Sequence, residues 1–240
     1  MKRGVCMINF NKLTTTWKNS PEKGVRIVAF GSSNTELCWH SDGCNNWVDY
    51  LNMNLRTHIG RNVCVINQGI CGQHTRDLLL RIDRDVFSFS PDLVIITIGG
   101  NDALWGFTDE EYYTNLKSIC TQCMDRGIGP ILQTYYCPTY FEGIDGFQDI
   151  FERFVGINRT LSNELDIPLM DQYRYFEPFY RSDPQGYKEV MRDWLHVNPL
   201  GNMIMGMNFS RLFELPDFTE PSTRIEKLHS TMAAMDGLYE

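Results

Sequence analysis

The sequence predicts an α/β fold in which helices cover both faces of one parallel sheet. Apolar runs of strand length alternate with amphipathic stretches of helix length along the 240 residues, as is typical of this architecture. The run at residues 93–98 is almost unbroken β-branched apolar sequence, as expected for a central strand buried on both faces. A chain of this length can bury the core of one large α/β domain. We therefore predict a single domain over residues 1–240, a three-layer α/β/α sandwich with a five-stranded parallel sheet.

The predicted strands are five short apolar runs, at residues 26–30, 63–67, 93–98, 130–134 and 167–170. The predicted helices are five longer amphipathic stretches, at residues 46–58, 75–89, 109–126, 148–165 and 199–212. The last helix has a good N-cap in Asn198 and a favourable first residue in Pro199. Because a residue before proline resists the α conformation, we expect residues 193–198 to form a loop.

Both ends of the chain extend beyond these elements. Residues 1–24 are predicted to be an N-terminal extension wrapped on the body, and residues 216–240 a C-terminal appendage. In the appendage, apolar side chains recur at helical spacing, at Ile225, Leu228, Met232 and Met235. This stripe fits a tail helix packed on its own domain, and it also fits the interface of a homodimer. The sequence leaves both interpretations open.

Charge and composition narrow the class of partner. The formal net charge is −8 at pH 7 and no basic patch stands out, which argues against a nucleic-acid partner. No apolar run approaches the roughly 20 residues of a membrane-spanning helix, and residues 5–10 are too short for a secretory signal. The 8 cysteines are scattered, and some, such as Cys64 and Cys137, lie in strand-like runs. We therefore expect a cytoplasmic protein with no membrane partner.

Three polar motifs directly follow the first three predicted strands. They are Gly-Ser-Ser at residues 31–33, Asn-Gln-Gly-Ile-Cys-Gly at 67–72 and Gly-Gly-Asn-Asp at 99–102. Ligands of open parallel sheets bind beyond the carboxyl ends of the strands. Glycine-rich turns at that edge allow backbone N–H groups to approach a ligand. We expect the three motifs to meet at one rim of the sheet.

A fourth motif lies near the end of the chain, where Asp193 and His196 stand three positions apart. A serine hydroxyl, an imidazole base, a carboxylate that orients it and amide donors for an oxyanion are the groups that acyl transfer requires. The short spacing allows the loop backbone alone to preset the Asp193–His196 pair.

In this order the four motifs resemble those of the SGNH (GDSL-type) hydrolase family, which begins with a Gly-Asp-Ser turn and ends with Asp-x-x-His. The resemblance spans residues 26 to about 210, and we expect a flavodoxin-like strand order. It implies that Ser33 is the nucleophile and that Asp193 and His196 are the orienting carboxylate and the base. Backbone N–H groups of Ser33 and Gly72, with the Asn101 side chain, are the expected oxyanion hole.

The chain departs from the family pattern at two positions. Ser32 stands in place of the family's aspartate, and Asn34 in place of leucine or a similar apolar residue. The aspartate is an acceptor that braces the turn, so its loss removes no group that the chemistry requires. Two adjacent serines result, and counting from Gly31 favours Ser33 as the nucleophile.

The predicted function is hydrolysis of a carboxylic ester through an acyl-enzyme on Ser33, with neither a metal nor an organic cofactor. The family includes carbohydrate acetylesterases, lysophospholipases, thioesterases and arylesterases. Polar, aromatic-rich loops favour a small ester with a short acyl group, such as an acetylated carbohydrate. Three alternatives use the same site: an acyl hydrolase of the lysophospholipase or thioesterase type, an acyltransferase, and a non-catalytic binding module, which the change at Ser32 would fit.

Several other residues have simpler interpretations. The alternate spacing of Cys38, His40, Asp42 and Cys44 is not a usual zinc pattern. Cys120 and Cys123 form a lone CxxC in a predicted helix, which favours core packing. Gly69 is expected to permit a positive φ and Asp102 to satisfy loop backbone groups. Six aromatic residues in the loops line the substrate pocket or cover the core edge, and both interpretations stay open: Trp39, Trp105, Trp194, Tyr135, Tyr136 and Tyr140.

Overall fold

The strands are β1 (Val25–Gly31), β2 (Val63–Gly69), β3 (Leu93–Thr97), β4 (Gly129–Gln133) and β5 (Leu169–Met170). They belong to a computed structural model that describes residues 8–37, 42–217 and 223–239. All adjacent pairs are parallel, in the order β2-β1-β3-β4-β5. This confirms the predicted five-stranded α/β sheet and its flavodoxin-like order. All five residues of β3 are buried, as expected of its central place.

Ten α-helices surround the sheet in the described part of the chain. They are α1 (Phe10–Lys18), α2 (Trp47–His58), α3 (Thr75–Asp85), α4 (Gly100–Leu104), α5 (Asp109–Asp125), α6 (Phe147–Leu165), α7 (Gln172–Ser182), α8 (Pro184–Tyr187), α9 (Pro199–Leu212) and α10 (Thr223–Tyr239). The five predicted helices correspond to α2, α3, α5, α6 and α9. Of these, α3 ends earlier than predicted. The backbone leaves the α conformation at Val86 and continues as a 3-10 turn over Phe87–Phe89.

Four helices were not predicted: α1, α4, α7 and α8. The clearest omission is α7, which has 11 residues and contains Pro178. Proline within a helix removes a hydrogen bond and crowds the preceding turn, so the local sequence argued against a helix there. Tertiary packing outweighs that cost, because Tyr173, Tyr175 and Phe176 of α7 are buried.

The register of the sheet aligns the ends of its first three strands. Gly31 of β1 pairs with Gly69 of β2 and with Thr97 of β3. The three glycine-containing motifs that follow these strands therefore start from one line across the sheet, as predicted. Gly31 is required there by close approach, since a Cβ on it would lie 2.5 Å from the Thr97 carbonyl oxygen.

Packing of α9 on α2 fixes the loop that precedes α9. The rings of Trp47 and Phe209 stack with centroids 4.9 Å apart. Gly206 allows the close approach, because a Cβ at this position would lie 2.6 Å from Cβ of Tyr50. Asn198 caps α9 by accepting hydrogen bonds from the N–H groups of Leu200 and Gly201. The predicted loop at 193–198 is confirmed.

The C-terminal helix α10 packs against α7, and three members of its apolar stripe are buried within the chain. The side chain of the fourth, Ile225, lies outside the described residues. Leu228, Met232 and Met235 are all buried, and the Tyr175 hydroxyl contacts Asp236 at 2.7 Å. Among the described residues, no helix is long and apolar enough to cross a membrane. The single-domain division, the homodimer and the cytoplasmic location stay predictions.

Candidate active site

The turn after β1 directs its two serines to different partners. Ser32 is fully buried, and its Oγ lies 2.7 Å from the hydroxyl of Tyr135. Ser33 is 7% exposed, and its Oγ lies 3.0 Å from Nε2 of His196. The Ser32 carbonyl accepts the N–H groups of Thr35 and Glu36 and so closes the turn. Of the two serines, Ser33 is the one that contacts an imidazole.

The loop before α9 holds His196 and Asp193 as a pair. His196 Nδ1 lies 2.9 Å from Asp193 Oδ2 and 3.0 Å from Oδ1. Asp193 Oδ1 also accepts the backbone N–H groups of Leu195 and His196, at 2.8 and 2.7 Å. When Nδ1–H donates to this carboxylate, Nε2 is left as an acceptor facing Ser33. The predicted placement of this pair by local backbone agrees with these contacts.

Asp193 is held in its ionised form. Burial alone would favour the neutral carboxyl, but the hydrogen bond and charge of His196 and the two backbone N–H donors outweigh it. Together these contacts lower the pKa of Asp193 to about 2. The carboxylate therefore stays negative beside the imidazole at any pH near neutrality.

Besides Ser33, the residues predicted as oxyanion donors lie on the next two motifs. Asn101 is in the first turn of α4, and its Nδ2 donates to the Gln73 carbonyl oxygen at 2.7 Å. A primary amide nitrogen carries two hydrogens, so one remains for a ligand. Gly72 has a φ of +79°, and a Cβ added to it would meet no atom within 4 Å. The residue before Gly72, Cys71, donates its backbone N–H to Glu36 Oε2 at 2.9 Å.

Gly69 was predicted to permit a positive φ, and this prediction is wrong. Gly69 is not among the glycines with positive φ. It ends β2 in extended conformation, and a Cβ there would lie 2.1 Å from the backbone nitrogen of Glu36. The glycine is needed because the turn at residues 32–36 crosses directly over the end of β2.

Asp102 satisfies loop groups, as predicted. Its Oδ1 accepts both the N–H and the hydroxyl of Thr75, which joins α4 to the start of α3. Burial raises the pKa of this carboxyl, although the Thr75 donors oppose the effect. Cys120 and Cys123 are buried core residues of α5, as expected.

The aromatic residues divide between core and surface. Tyr135 and Tyr136 are buried, and the ring of Trp194 packs edge-on against Phe147 at 5.1 Å. Tyr140 is half-buried and donates its hydroxyl to Tyr173. Trp105, in contrast, is 73% exposed although its backbone N–H bonds the Asn101 carbonyl. Trp39 lies outside the described residues.

Within residues 8–37, 42–217 and 223–239, no group of three or more His, Cys, Asp or Glu side chains could hold a metal ion. Cys38 and His40 of the alternate Cys/His/Asp/Cys run lie outside these ranges. Sequence reasoning missed Arg81, whose buried guanidinium bonds the Gly31 carbonyl at 2.8 Å. An arginine at a predicted helical position carries no local sign of such a contact.

A parallel α/β sheet with serine, histidine and aspartate in contact beyond its strand ends is an arrangement typical of acyl hydrolases. The model of the GDSL-like Lipase/Acylhydrolase family matches residues 29–204, and the chain belongs to this family. It is a hydrolase of the GDSL esterase type.

Curated relatives and solved structures agree with this assignment. The chain is 31% identical over 156 residues to an arylesterase of Vibrio mimicus, covering 64% of this chain and 71% of that protein. It is 28% identical over 161 residues to an acetylxylan esterase of Geobacillus stearothermophilus, covering 61% and 70%. It is also 29% identical over 174 residues to an uncharacterized lipoprotein of Bacillus subtilis, covering 62% and 71%.

The fold is shared with a solved acetylxylan esterase of Geobacillus stearothermophilus, at a TM-score of 0.69 and 20% identity. The superposition covers 82% of this chain and 98% of that one. A G-D-S-L family lipolytic protein of Desulfitobacterium hafniense superposes with a TM-score of 0.62 and 23% identity, covering 79% and 99%.

Proposed function

We propose that this chain hydrolyses carboxylic esters with a short acyl group through an acyl-enzyme on Ser33. The observation that carries the proposal is the 3.0 Å contact between Ser33 Oγ and His196 Nε2, with Asp193 bonded to the opposite ring nitrogen. Three catalytic mutants of the Geobacillus acetylxylan esterase each replace one residue by alanine: a serine, an aspartate or a histidine. In that protein the aspartate and the histidine stand three positions apart. Asp193 and His196 have the same spacing.

The proposed reaction begins when neutral His196 accepts the Ser33 hydroxyl proton at Nε2. As the proton leaves, Oγ attacks the ester carbonyl carbon and the carbonyl oxygen becomes negative. The N–H groups of Ser33 and Gly72 and the Asn101 amide would stabilise this oxyanion, and one such donor is typically worth about 2.7–4 kcal/mol.

Collapse of the intermediate breaks the bond to the alkoxy oxygen. His196 returns its proton to this oxygen, the alcohol leaves, and the acyl group stays on Ser33. Water then repeats the sequence in place of the alcohol: His196 takes a proton from water, the hydroxide oxygen attacks the acyl carbon, and the proton returns to Ser33 Oγ as the acid departs. The imidazolium formed in each half faces the ionised carboxylate of Asp193.

The proposed substrate is an acetyl ester of a carbohydrate. Among the relatives, the acetylxylan esterase supports an acetylated sugar. Trp105 supports it independently, since a large indole 73% exposed beside Asn101 offers a flat apolar face on which a sugar ring can stack. The Trp105→Ala variant should raise KM for acetylated xylooligosaccharides and leave KM for ethyl acetate, which has no ring, within about twofold.

The test of the reaction compares wild type with Ser33→Ala on p-nitrophenyl acetate. Wild type should show turnover and the variant only the background rate. Equal rates in both proteins would reject Ser33 as the nucleophile. Turnover in neither, across acetate, longer acyl esters and sugar esters, would favour a non-catalytic binding module.

The acyl length that the enzyme prefers distinguishes the short-acyl proposal from its main alternative. A thioesterase 1/protease 1/lysophospholipase L1 of Escherichia coli is 24% identical over 148 residues. If kcat/KM rises from acetate to decanoate or to long-chain acyl-CoA, the short-acyl proposal is wrong and that type of hydrolase is favoured. An acyltransferase would instead give new esters in the presence of added sugars or alcohols.

A further inference from the structure

Arg81 of α3 is a buried, charged residue that contacts two separate segments of the candidate site, one at Gly31 and one at Gln73. Its side chain is 5% exposed. One Nη donates to the Gly31 carbonyl at 2.8 Å, and the other donates to the Gln68 carbonyl at 3.0 Å and to Asp85 at 2.8 Å. Its Nε donates to Oε1 of Gln73. A planar fork with five donors is the group that can serve four acceptors at once.

Two of these acceptors lie next to the reacting groups. The Gly31 carbonyl immediately precedes the Ser32–Ser33 turn, and it also accepts the N–H of Ile70. Gln73, which Arg81 holds by its side chain, holds Asn101 by its backbone carbonyl at 2.7 Å. A single guanidinium therefore connects the turn that carries Ser33 to the segment that orients the Asn101 amide.

The charge of Arg81 is neutralised by Asp85, which lies outside the candidate site. Asp85 also receives Arg84, whose Nε and Nη2 lie 2.6 and 2.8 Å from its two oxygens. Arg84 itself is 71% exposed, so it pairs with Asp85 from the solvent side. If Arg81 is shortened, Asp85 keeps this second partner, so a buried carboxylate is not left alone. The pair Arg81 and Arg84 thus offers a variant and a matched control on one helix.

We propose that Arg81 is a positioning residue that fixes the distance between the Ser33 turn and the Asn101 amide. The proposal depends on the ester hydrolysis proposed above. Arg81 acts through backbone carbonyls and Gln73, and it need not touch substrate. An oxyanion donor stabilises charge that develops only in the transition state, so loosening this distance should lower kcat and leave KM nearly unchanged. Misplacement by about 1 Å can cost on the order of a hundredfold in rate.

The experiment compares Arg81→Lys, Gln73→Ala and Arg84→Ala with wild type. Lysine keeps the charge of Arg81 but is a point donor that cannot span Gly31, Gln68 and Gln73 together. Gln73→Ala removes only the side-chain link and keeps the carbonyl that accepts Asn101. For each protein, kcat and KM for p-nitrophenyl acetate are measured per active site, counted by the amplitude of the p-nitrophenol burst or by labelling with a fluorophosphonate.

Arg81→Lys should lower kcat by about 10- to 100-fold with KM within about threefold. Gln73→Ala should lower kcat in the same direction by a smaller factor, and Arg84→Ala should stay within about twofold of wild type. Because kcat is expressed per counted active site, a lower kcat reflects misplaced groups and not a smaller amount of folded protein. The acid limb of the pH profile should be unmoved in all three variants, because none of them changes the Asp193–His196 pair.

Amide hydrogen exchange provides a readout that does not depend on turnover. Arg81→Lys should speed exchange in residues 31–36 and 68–73 together, whereas Gln73→Ala should affect mainly the second segment. A folded Arg81→Lys protein with wild-type kcat and unchanged exchange would overturn the proposal. If Arg81→Lys does not fold, unchanged kcat in Gln73→Ala overturns it. An inactive wild type would refute the ester hydrolysis instead, and an active Ser33→Ala would refute its acyl-enzyme on Ser33. In either case the exchange experiment would still decide whether Arg81 joins the two segments.

Discussion

The phenolic hydroxyl of Tyr136 accepts a hydrogen bond from the backbone N–H of Val197, with 2.9 Å between the heavy atoms. The same hydroxyl lies 2.7 Å from the Leu195 carbonyl oxygen and also contacts Asn34 Oδ1, so its single proton is shared between these two acceptors. Burial raises the pKa of Tyr136 well above its usual range, so the hydroxyl keeps the proton that this donation needs. Both neighbours of His196 in the chain are thus fastened to a side chain that follows β4, and the imidazole is held between them.

Replacing Tyr136 by phenylalanine should weaken both stability and activity. The change leaves the Val197 N–H and the Leu195 carbonyl buried without their partner, and each such group costs about 1–3 kcal/mol. The loop should move enough to lower kcat by about tenfold, a fraction of the hundredfold that a 1 Å misplacement can cost. Chemical denaturation and steady-state kinetics measure the two effects. Tyr113→Phe, which removes a hydroxyl bonded to Glu164 on the surface, is the control. A Tyr136→Phe protein as stable as this control would show that the hydroxyl does not brace the loop.

Ser32→Ala should separate the two adjacent serines. Ser32 contacts Tyr135 and not His196, so its loss should cost about 1 kcal/mol of stability and change kcat by no more than a few fold. Ser33→Ala should reduce the rate to background. Labelling by a fluorophosphonate, followed by mass spectrometry of the modified peptide, locates the nucleophile directly. Label retained in Ser33→Ala and lost in Ser32→Ala would reverse the assignment.

Asn101→Ala should lower kcat by about 10²–10³-fold, the effect of losing one oxyanion donor. KM should change little, because the interaction develops with the charge on the carbonyl oxygen. The Gln73 carbonyl loses a partner in this variant, so thermal unfolding is measured in parallel. Asn163→Ala, at an exposed position of α6, controls for removal of an amide. A fall in kcat/KM that arises from KM alone would contradict the proposed role.

The ionised form of Asp193 should stabilise the folded protein over a defined pH range. Its pKa in the fold, about 2, is lower than the ordinary value of 3.8. The unfolded chain therefore binds the proton more readily, and the stabilisation is complete above about pH 4 and is lost as the pH falls towards 2. The difference in Tm between wild type and Asp193→Asn should shrink over that interval. A Tm difference that stays constant from pH 5 to 2 would contradict this pKa.

The same variant should lower kcat strongly at neutral pH. An asparagine in place of the carboxylate favours the wrong tautomer of the ring, a change that costs about 10⁴-fold in a serine protease with the same three groups. Because Asp193 remains ionised throughout the working range, its own protonation should not contribute to any loss of wild-type activity on the acid side. Asp83→Asn, at an exposed position of α3, should leave the profile unchanged.

The parts of the site that sequence reasoning found are those whose geometry is local. Asp193 and His196 are three residues apart, and Asp193 bonds the intervening backbone, so their spacing already contains their contact. Ser33, Gly72 and Asn101 were placed because each motif directly follows a strand. Gly69 was placed correctly but explained wrongly, since the atom that excludes a side chain belongs to Glu36 in another part of the chain.

Periodicity and motif spacing were enough to predict the five strands, their parallel orientation and the edge at which the polar motifs meet, and the family resemblance added the strand order. The strand predictions depend on how apolar runs alternate with amphipathic stretches along the chain and on rules that all parallel sheets obey. The fold alone revealed the hydroxyl of Tyr136 behind His196 and the guanidinium of Arg81 between two loops. Those contacts join residues 61 and 50 positions apart, and a side chain's partner at such separation depends on how whole helices and strands pack, which no local pattern of residues records.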